Sequence, residues 1–190
     1  MEGYKELRYL RNSPRRSGFL AKFLDRWFKH RIDFESPYSV LNSASLADVL
    51  KDVTLPPGTT ICSFDVVGLF PNIPKAATMQ RMGELLVKAN IPHNEFQEFF
   101  DLLNLCWCPN YCKFEGKFFE FPDEVGIPIG SPLGSLISEI FMSKFELDLF
   151  SSNQVLLNNI YYWHRYVDDV LCTWTGHPDL LGEFLRYLNS

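Results

Sequence analysis

Two adjacent carboxylates, Asp168 and Asp169, give this 190-residue sequence its clearest potential for chemistry. They lie between residues 159–165 and 170–174, two runs rich in β-branched and aromatic side chains, which predict strands joined by a hairpin. Like charges at a hairpin tip repel each other, so the pair indicates a bound cation. The alternative is a solvated Asp-Asp turn, because Asp favours turns through local hydrogen bonds.

A third carboxylate, Asp65, lies at the end of another apolar run, residues 61–67. Gly68, Pro71 and Pro74 follow, so the chain must leave the strand just after the acid. Carboxylates at the ends of adjoining strands can converge on one point. Convergence of three acids suits two Mg²⁺ ions about 4 Å apart, with Mn²⁺ as an alternative ion, and such a pair promotes phosphoryl transfer.

A Gly/Pro segment at residues 125–133 opens a long helical pattern. Gly126 and Gly130 lack Cβ atoms, so the backbone can approach a ligand closely there. Apolar residues recur at helical spacing from Leu133 to Leu149, which predicts one face in the core. An ordinary junction between a loop and a helix is the alternative interpretation of the segment.

Together these segments resemble the palm of reverse transcriptases, most closely those of Penelope-like retroelements. The resemblance is carried by residues 63–74, by residues 126–133 running into 140–142, and by residues 165–169. It implies an α+β fold with a palm and partial fingers, in which an antiparallel sheet packs on helices. Gly134 departs from the pattern, since the family usually has Ser at this position.

The resemblance also implies a division of the chain. Residues 1–58 would form a fingers-like segment with a basic arm, and residues 59–190 the palm segment with the catalytic motifs. We expect a single reverse transcriptase domain that is incomplete at its C-terminal end and lacks the thumb.

By the same resemblance the chain is expected to be an RNA-directed DNA polymerase that adds nucleotides to a primer 3′-hydroxyl. Its partners would be an RNA template, a DNA primer, dNTPs and a thumb or endonuclease region of a longer element. A nuclear location is expected. No 18-residue apolar run exists, so no membrane partner is expected.

The site residues follow from the same motifs. The resemblance implies catalytic roles for Asp65, Asp168 and Asp169, and metal binding by these three residues and Val66. It implies nucleotide binding by Phe70, Gly130, Ser131, Pro132 and Tyr166. An aromatic ring at Phe70 would exclude a ribose 2′-hydroxyl, the group that separates RNA from DNA precursors. The alternative for Phe70 is an ordinary core position.

Charge is distributed unevenly along the chain. Residues 1–35 carry nine Lys and Arg against five Asp and Glu, a net charge of +4, whereas the whole chain carries −5. Template contact is therefore predicted for Arg15, Arg16 and Lys22. A solvated helix face is the alternative. The predicted apolar stripe of this first helix consists of Phe19, Leu20, Phe23, Leu24, Trp27 and Phe28.

Two other functions remain open at this stage. One is a non-catalytic nucleic-acid-binding remnant or domesticated module, for which salt-sensitive RNA binding would survive loss of the acids. The other is an RNA-templated RNA polymerase or an ordinary DNA polymerase. Residues 166–169 and Phe70 favour a reverse transcriptase over these. We expect weak or no activity, because primer positioning normally relies on a thumb. The five cysteines predict reduced thiols.

Overall fold

A computed structural model describes residues 14–107, 111–120 and 126–189 of the chain, and only the backbone of residues 14–17, 111–113 and 120. The described elements are α1 (Pro14–Arg31), α2 (Ser43–Leu50), β1 (Thr60–Asp65), α3 (Leu69–Asn72), α4 (Lys75–Lys88), α5 (His93–Trp107), β2 (Tyr111–Phe114), β3 (Lys117–Glu120), α6 (Gly134–Ser151), a 3₁₀ helix (Val155–Asn159), β4 (Ile160–Tyr166), β5 (Asp169–Trp174) and α7 (Pro178–Leu188).

The chain divides into two compact units, each built from two separate stretches. The first unit comprises residues 1–34 and 68–141, and the second comprises residues 35–67 and 142–190. The division expected from the sequence, between residues 58 and 59, stays a prediction. The mixture of helices with small antiparallel sheets agrees with the expected α+β class.

The first unit has a helical core in which α1 packs on α5. Trp27 stacks on Phe99 with ring centroids 5.1 Å apart, and Phe28 lies 5.7 Å from the same ring. The buried face of α1 consists of Ala21, Leu24 and Phe28, and Ile32, just after the helix, is buried as well. The predicted stripe was therefore wrong in part, because Phe19 is 77% exposed and Phe23 is 56% exposed. Both lie on the opposite side of the helix from Ala21, at 100° per residue.

The loop before α6 packs against α3 within this unit. Gly126 donates a hydrogen bond to the carbonyl of Ile73 (2.8 Å), and Ile127 donates to that of Phe70 (2.8 Å). Gly126 has a φ of +83°, and a Cβ atom there would lie 2.7 Å from the Pro71 carbonyl oxygen. This glycine is therefore required by the approach of two protein segments.

The second unit contains a three-stranded antiparallel sheet in the order β1-β5-β4. One face of the sheet packs on α7 and on the second half of α6, with Phe184 stacked on Trp174 at 5.3 Å. The buried core of this unit consists of Leu149, Trp163, Val170, Cys172, Trp174 and Phe184. Alternation along each strand leaves the other face free to carry polar side chains.

An extended segment continues the sheet beyond β4. Arg165 donates its amide to the Tyr38 carbonyl (2.7 Å), and Val40 donates to the Arg165 carbonyl (2.8 Å). Ser39 and Arg165 thus form a parallel bridge. Arg165 is held on one side by this segment and on the other by its pairing with Val170 in β5. Within the described ranges, no helix is long and apolar enough to cross a membrane.

Candidate active site

The backbone brings the three predicted catalytic acids to one end of the sheet. Asp65 and Asp169 are direct partners across β1 and β5, and the Val66 amide donates to the Asp168 carbonyl (3.0 Å). That bond makes Val66 and Asp168 a hydrogen-bonded pair, so Asp65 and Asp169 form the neighbouring non-hydrogen-bonded pair. In such a pair the Cα atoms are about 4.5 Å apart and the side chains share a face.

Asp65 and Asp169 lie on the face of the sheet opposite the core. Their strand neighbours Phe64 and Val170 pack into the core, and both acids are exposed. Tyr166 pairs with Asp169 from β4 and is 50% exposed. The predicted nucleotide-binding tyrosine therefore belongs to the same cross-strand row as two of the acids.

Asp168 occupies the tip of the hairpin between β4 and β5, as the sequence predicted. The loop has two residues, Val167 and Asp168, and Val167 has a φ of +57°. A positive φ at the first loop position is what primed hairpin turns require, and Gly or Asn usually supplies it. A β-branched residue in this region is strained by roughly 1–3 kcal/mol, so the surroundings must hold the turn in place.

A buried ion pair lies directly beneath this turn. Arg165 on β4 and Glu146 on α6 are both fully buried, with Nε 2.8 Å from Oε1. Trp163 donates its indole N–H to the same carboxylate (3.1 Å), and the Ser36 hydroxyl donates to Oε2 (3.4 Å). The sequence pattern did not single out either charge. In the sequence, Arg165 belongs to the motif at residues 165–169, and Glu146 belongs to the helical pattern from Leu133 to Leu149. Neither pattern indicates that the charge is buried.

The donor set of the acidic end fits a hard divalent cation. Carboxylates, with a backbone carbonyl such as that of Val66, are the oxygen ligands that Mg²⁺ and Mn²⁺ prefer. Across the described part of the chain, however, no three His, Cys, Asp or Glu side chains are already grouped as a metal site. The backbone thus supplies the proximity, and metal binding by Asp65, Val66, Asp168 and Asp169 stays a prediction.

The other predicted nucleotide-binding residues belong to the first unit. Phe70, in α3, is half-buried, and a Cβ atom on Gly134 would lie 3.4 Å from its ring. Gly130 has a φ of +88°, and a Cβ atom there would have no neighbour within 4 Å, so its surroundings are open. The Ser131 carbonyl accepts from the Gly134 amide (2.9 Å) at the start of α6. Nucleotide binding by Phe70, Gly130, Ser131 and Pro132 stays a prediction.

The predicted nucleic-acid contacts lie on α1. Lys22 is exposed on this helix, as a phosphate contact requires. The side chains of Arg15 and Arg16 lie outside the described residues. Template contact by the three residues therefore stays a prediction.

Burial shifts the pKa of His164 and of the Cys62 and Cys172 thiols in the sheet. Burial lowers the pKa of His164, which stacks on Tyr162 with ring centroids 5.9 Å apart. Burial raises the pKa of the Cys172 thiol to about 12, and the nearby Cys62 contributes to this shift. Both thiols are free, as the sequence predicted, and Cys172 stays protonated at neutral pH.

Comparison with known proteins places this fold among solved structures of telomerase. No family model matches the sequence, and no curated protein matches it. The apo telomerase of Candida tropicalis truncated from its C-terminal domain matches with a TM-score of 0.61 and 16% identity over 88% of this chain. Another apo telomerase structure from Candida tropicalis matches with a TM-score of 0.62 and 15% identity over 90% of this chain.

Telomerase from Candida albicans, in complex with a fragment of telomeric RNA, matches with a TM-score of 0.56 and 15% identity over 90% of this chain. The chain spans about a third of these telomerase chains, 36%, 34% and 32% of their lengths. The chain therefore shares its fold with part of these telomerase chains.

Proposed function

We propose that the chain is part of a reverse transcriptase of a retroelement, related to Penelope-like elements, with weak or no activity on its own. The observation that supports this most is the cross-strand pairing of Asp65 with Asp169, next to the backbone bond between Val66 and Asp168. Asp65 is far in sequence from the adjacent Asp168 and Asp169, yet all three reach one end of one sheet. Carboxylates concentrated at one point can hold the metal ions that promote phosphoryl transfer.

In this proposal, Asp65, Asp168 and Asp169 hold two Mg²⁺ ions, with Val66 as an additional ligand. The ions would neutralise the attacking and leaving oxygens of the transfer. The residues of the chain position the reacting groups: Tyr166, Gly130, Ser131 and Pro132 contact the incoming dNTP. Phe70 excludes a 2′-hydroxyl, so the chain would select deoxynucleotides.

The proposed partners are an RNA template and a DNA primer. One of the telomerases is in complex with RNA, which supports an RNA partner for this chain as well. Exposed Lys22, with Arg15 and Arg16, would contact backbone phosphate. We also propose a nuclear location and association with the thumb or endonuclease region of a longer element.

Single-nucleotide addition to a primer on an RNA template, followed over long incubation with Mg²⁺, tests the proposal. We expect slow addition that Asp168→Asn lowers at least about a hundredfold, because metal charge stabilisation is worth several kcal/mol. Asp179→Asn, which changes an exposed acid on α7, is the matched control and should leave addition unchanged. Addition that survives Asp168→Asn would contradict the assigned mechanism.

A second candidate is a nucleic-acid-binding module without catalysis. The observation that favours it is the exposed Lys22 on α1, because phosphate contacts by Lys and Arg supply affinity without a metal ion. It predicts RNA binding that weakens steeply with salt and is unaffected by replacing Asp168 and Asp169 with Asn. Such binding, with no nucleotide addition by the wild type, would favour this candidate over a polymerase.

A further inference from the structure

The guanidinium of Arg165 connects a buried carboxylate to the hairpin turn that carries Asp168. Its Nε and Nη2 atoms donate to the two oxygens of Glu146, at 2.8 and 3.2 Å. Its Nη1 atom donates to the Val167 carbonyl at 3.2 Å. The planar guanidinium can donate to the Glu146 carboxylate and to the Val167 carbonyl at the same time, which a lysine ammonium cannot reproduce.

Each end of this connection is fixed independently. The Arg165 backbone bonds to Tyr38 and Val40 on one edge of β4. Glu146 is fully buried and also accepts hydrogen bonds from Trp163 and Ser36. Neither partner can swing away without leaving a buried charge unpaired, so the position of Nη1 is well determined.

The turn is the part that needs this support. Val167 has the left-handed φ of +57°, which a β-branched residue does not adopt unless it is held. The carbonyl of the next residue, Asp168, accepts a hydrogen bond from the Val66 amide at 3.0 Å. A continuous path of contacts therefore runs from Glu146 through Arg165 and Val167 to Asp168 and Val66.

We infer that Arg165 and Glu146 are positioning residues that hold the Val167-Asp168 turn and so fix Asp168 beside Asp65. This inference deepens the proposed function and rests on it for its catalytic meaning, since a displaced carboxylate lowers phosphoryl transfer steeply. The positioning itself is a property of the folded chain without metal or nucleotide, and it is measured separately.

Hydrogen exchange of the Val66 amide, followed by NMR, reports whether the Asp168 carbonyl stays in place. Arg165→Lys keeps a positive charge but removes the Nη1 bond to Val167. We expect Val66 exchange to become about tenfold faster in this variant, the effect of losing roughly one hydrogen bond. The amide of Cys62, which pairs with Cys172 further along the same strands, should keep its protection.

Trp163→Phe is the matched control, because it removes a hydrogen bond to the same Glu146 oxygen but leaves the Arg165 fork intact. It should leave the exchange ratio of Val66 to Cys62 unchanged. Glu146→Gln is the second variant if Arg165→Lys does not fold, and it should raise this ratio as well. An unchanged ratio in the folded variants would overturn the inference.

Nucleotide addition separates this inference from the proposed function. If nucleotide addition survives Asp168→Asn while Arg165→Lys still speeds the exchange of the Val66 amide, the positioning holds and the assigned polymerase mechanism fails. Nucleotide addition that depends on Asp168, together with Val66 amide exchange that is equal in Arg165→Lys and the wild type, would contradict the positioning role. The proposed function would then stand without it.

Discussion

The half-buried imidazole of His164 couples the stability of the second unit to pH. Burial lowers the pKa of this group, and its Nε2 atom is buried with no hydrogen-bond partner among the described residues. In the unfolded chain the imidazole has a pKa of about 6.5, so it takes up a proton at a pH where the imidazole of the folded chain does not. This contribution to stability is therefore complete above about pH 6.5 and is lost as the pH falls toward the folded value.

We expect His164→Gln to remove part of the fall in the urea midpoint between about pH 7 and pH 5. His30→Gln, at an exposed position on α1, is the control and should retain the full decline. Equal acid slopes for the wild type and His164→Gln would contradict the assignment.

Two glycines of one loop provide a second test at the scale of single residues. Gly126→Ala places a methyl group 2.7 Å from the Pro71 carbonyl oxygen at a φ of +83°. We expect a cost of about 3 kcal/mol in the free energy of unfolding, from backbone strain and overpacking together. Gly130→Ala, at a φ of +88° in open space, should cost only about 1 kcal/mol. Urea unfolding measures both, and equal costs would show that the close approach is unimportant.

At the scale of elements, the buried pair of Glu146 and Arg165 joins α6 to β4. Glu146→Ala leaves Arg165 buried and without its carboxylate partner, so we expect a loss of about 3–5 kcal/mol in the free energy of unfolding. Replacing both residues, Glu146→Leu with Arg165→Met, should cost less than either single change, because no charge is then left unpaired.

Asp148→Ala serves as the control, since it removes an exposed acid of the same helix that pairs with Lys144. Its cost should be below about 1 kcal/mol. Denaturant unfolding of Glu146→Leu, Arg165→Met, the double variant and Asp148→Ala measures these differences in the free energy of unfolding. A double variant less stable than both single variants would contradict this account of the pair.

Elements with a strong local pattern could be predicted from the sequence. The hairpin at residues 166–169 was confirmed because strand-forming runs flank a short turn, and α6 was confirmed because apolar residues recur at helical spacing from Leu133 to Leu149. The buried face of α1 could not be predicted. Apolar residues lie on both sides of that helix, and packing on α5 determines which side is buried.

The candidate site was predictable to the same extent. The ends of β1 and the hairpin located Asp65, Asp168 and Asp169, because strand ends are marked locally by turn residues. The register that pairs Asp65 with Asp169 depends on the whole sheet. The contact of Glu146 with Arg165 spans 19 residues of chain and two different elements, so no local pattern indicates it.

At the scale of the whole molecule, the chain spans about a third of the telomerase chains that share its fold. Its identity to them is 15–16%, so the likeness concerns the fold and leaves activity as a proposal. We propose that Asp65, Asp168 and Asp169, whose backbone lies at one end of the sheet, form a single site for divalent ions.

Paramagnetic broadening by Mn²⁺ in the ¹⁵N-labelled chain tests this claim most directly. We expect the amides of Asp65, Asp168 and Asp169 to broaden together and first, and excess Mg²⁺ to restore them. Asp169→Asn should weaken Mn²⁺ binding by about tenfold or more, because one charged ligand is lost. Asp179→Asn should bind Mn²⁺ with the same affinity as the wild type. Broadening that spares these three amides, or that is equal in Asp169→Asn and the wild type, would contradict the claim of a single metal site.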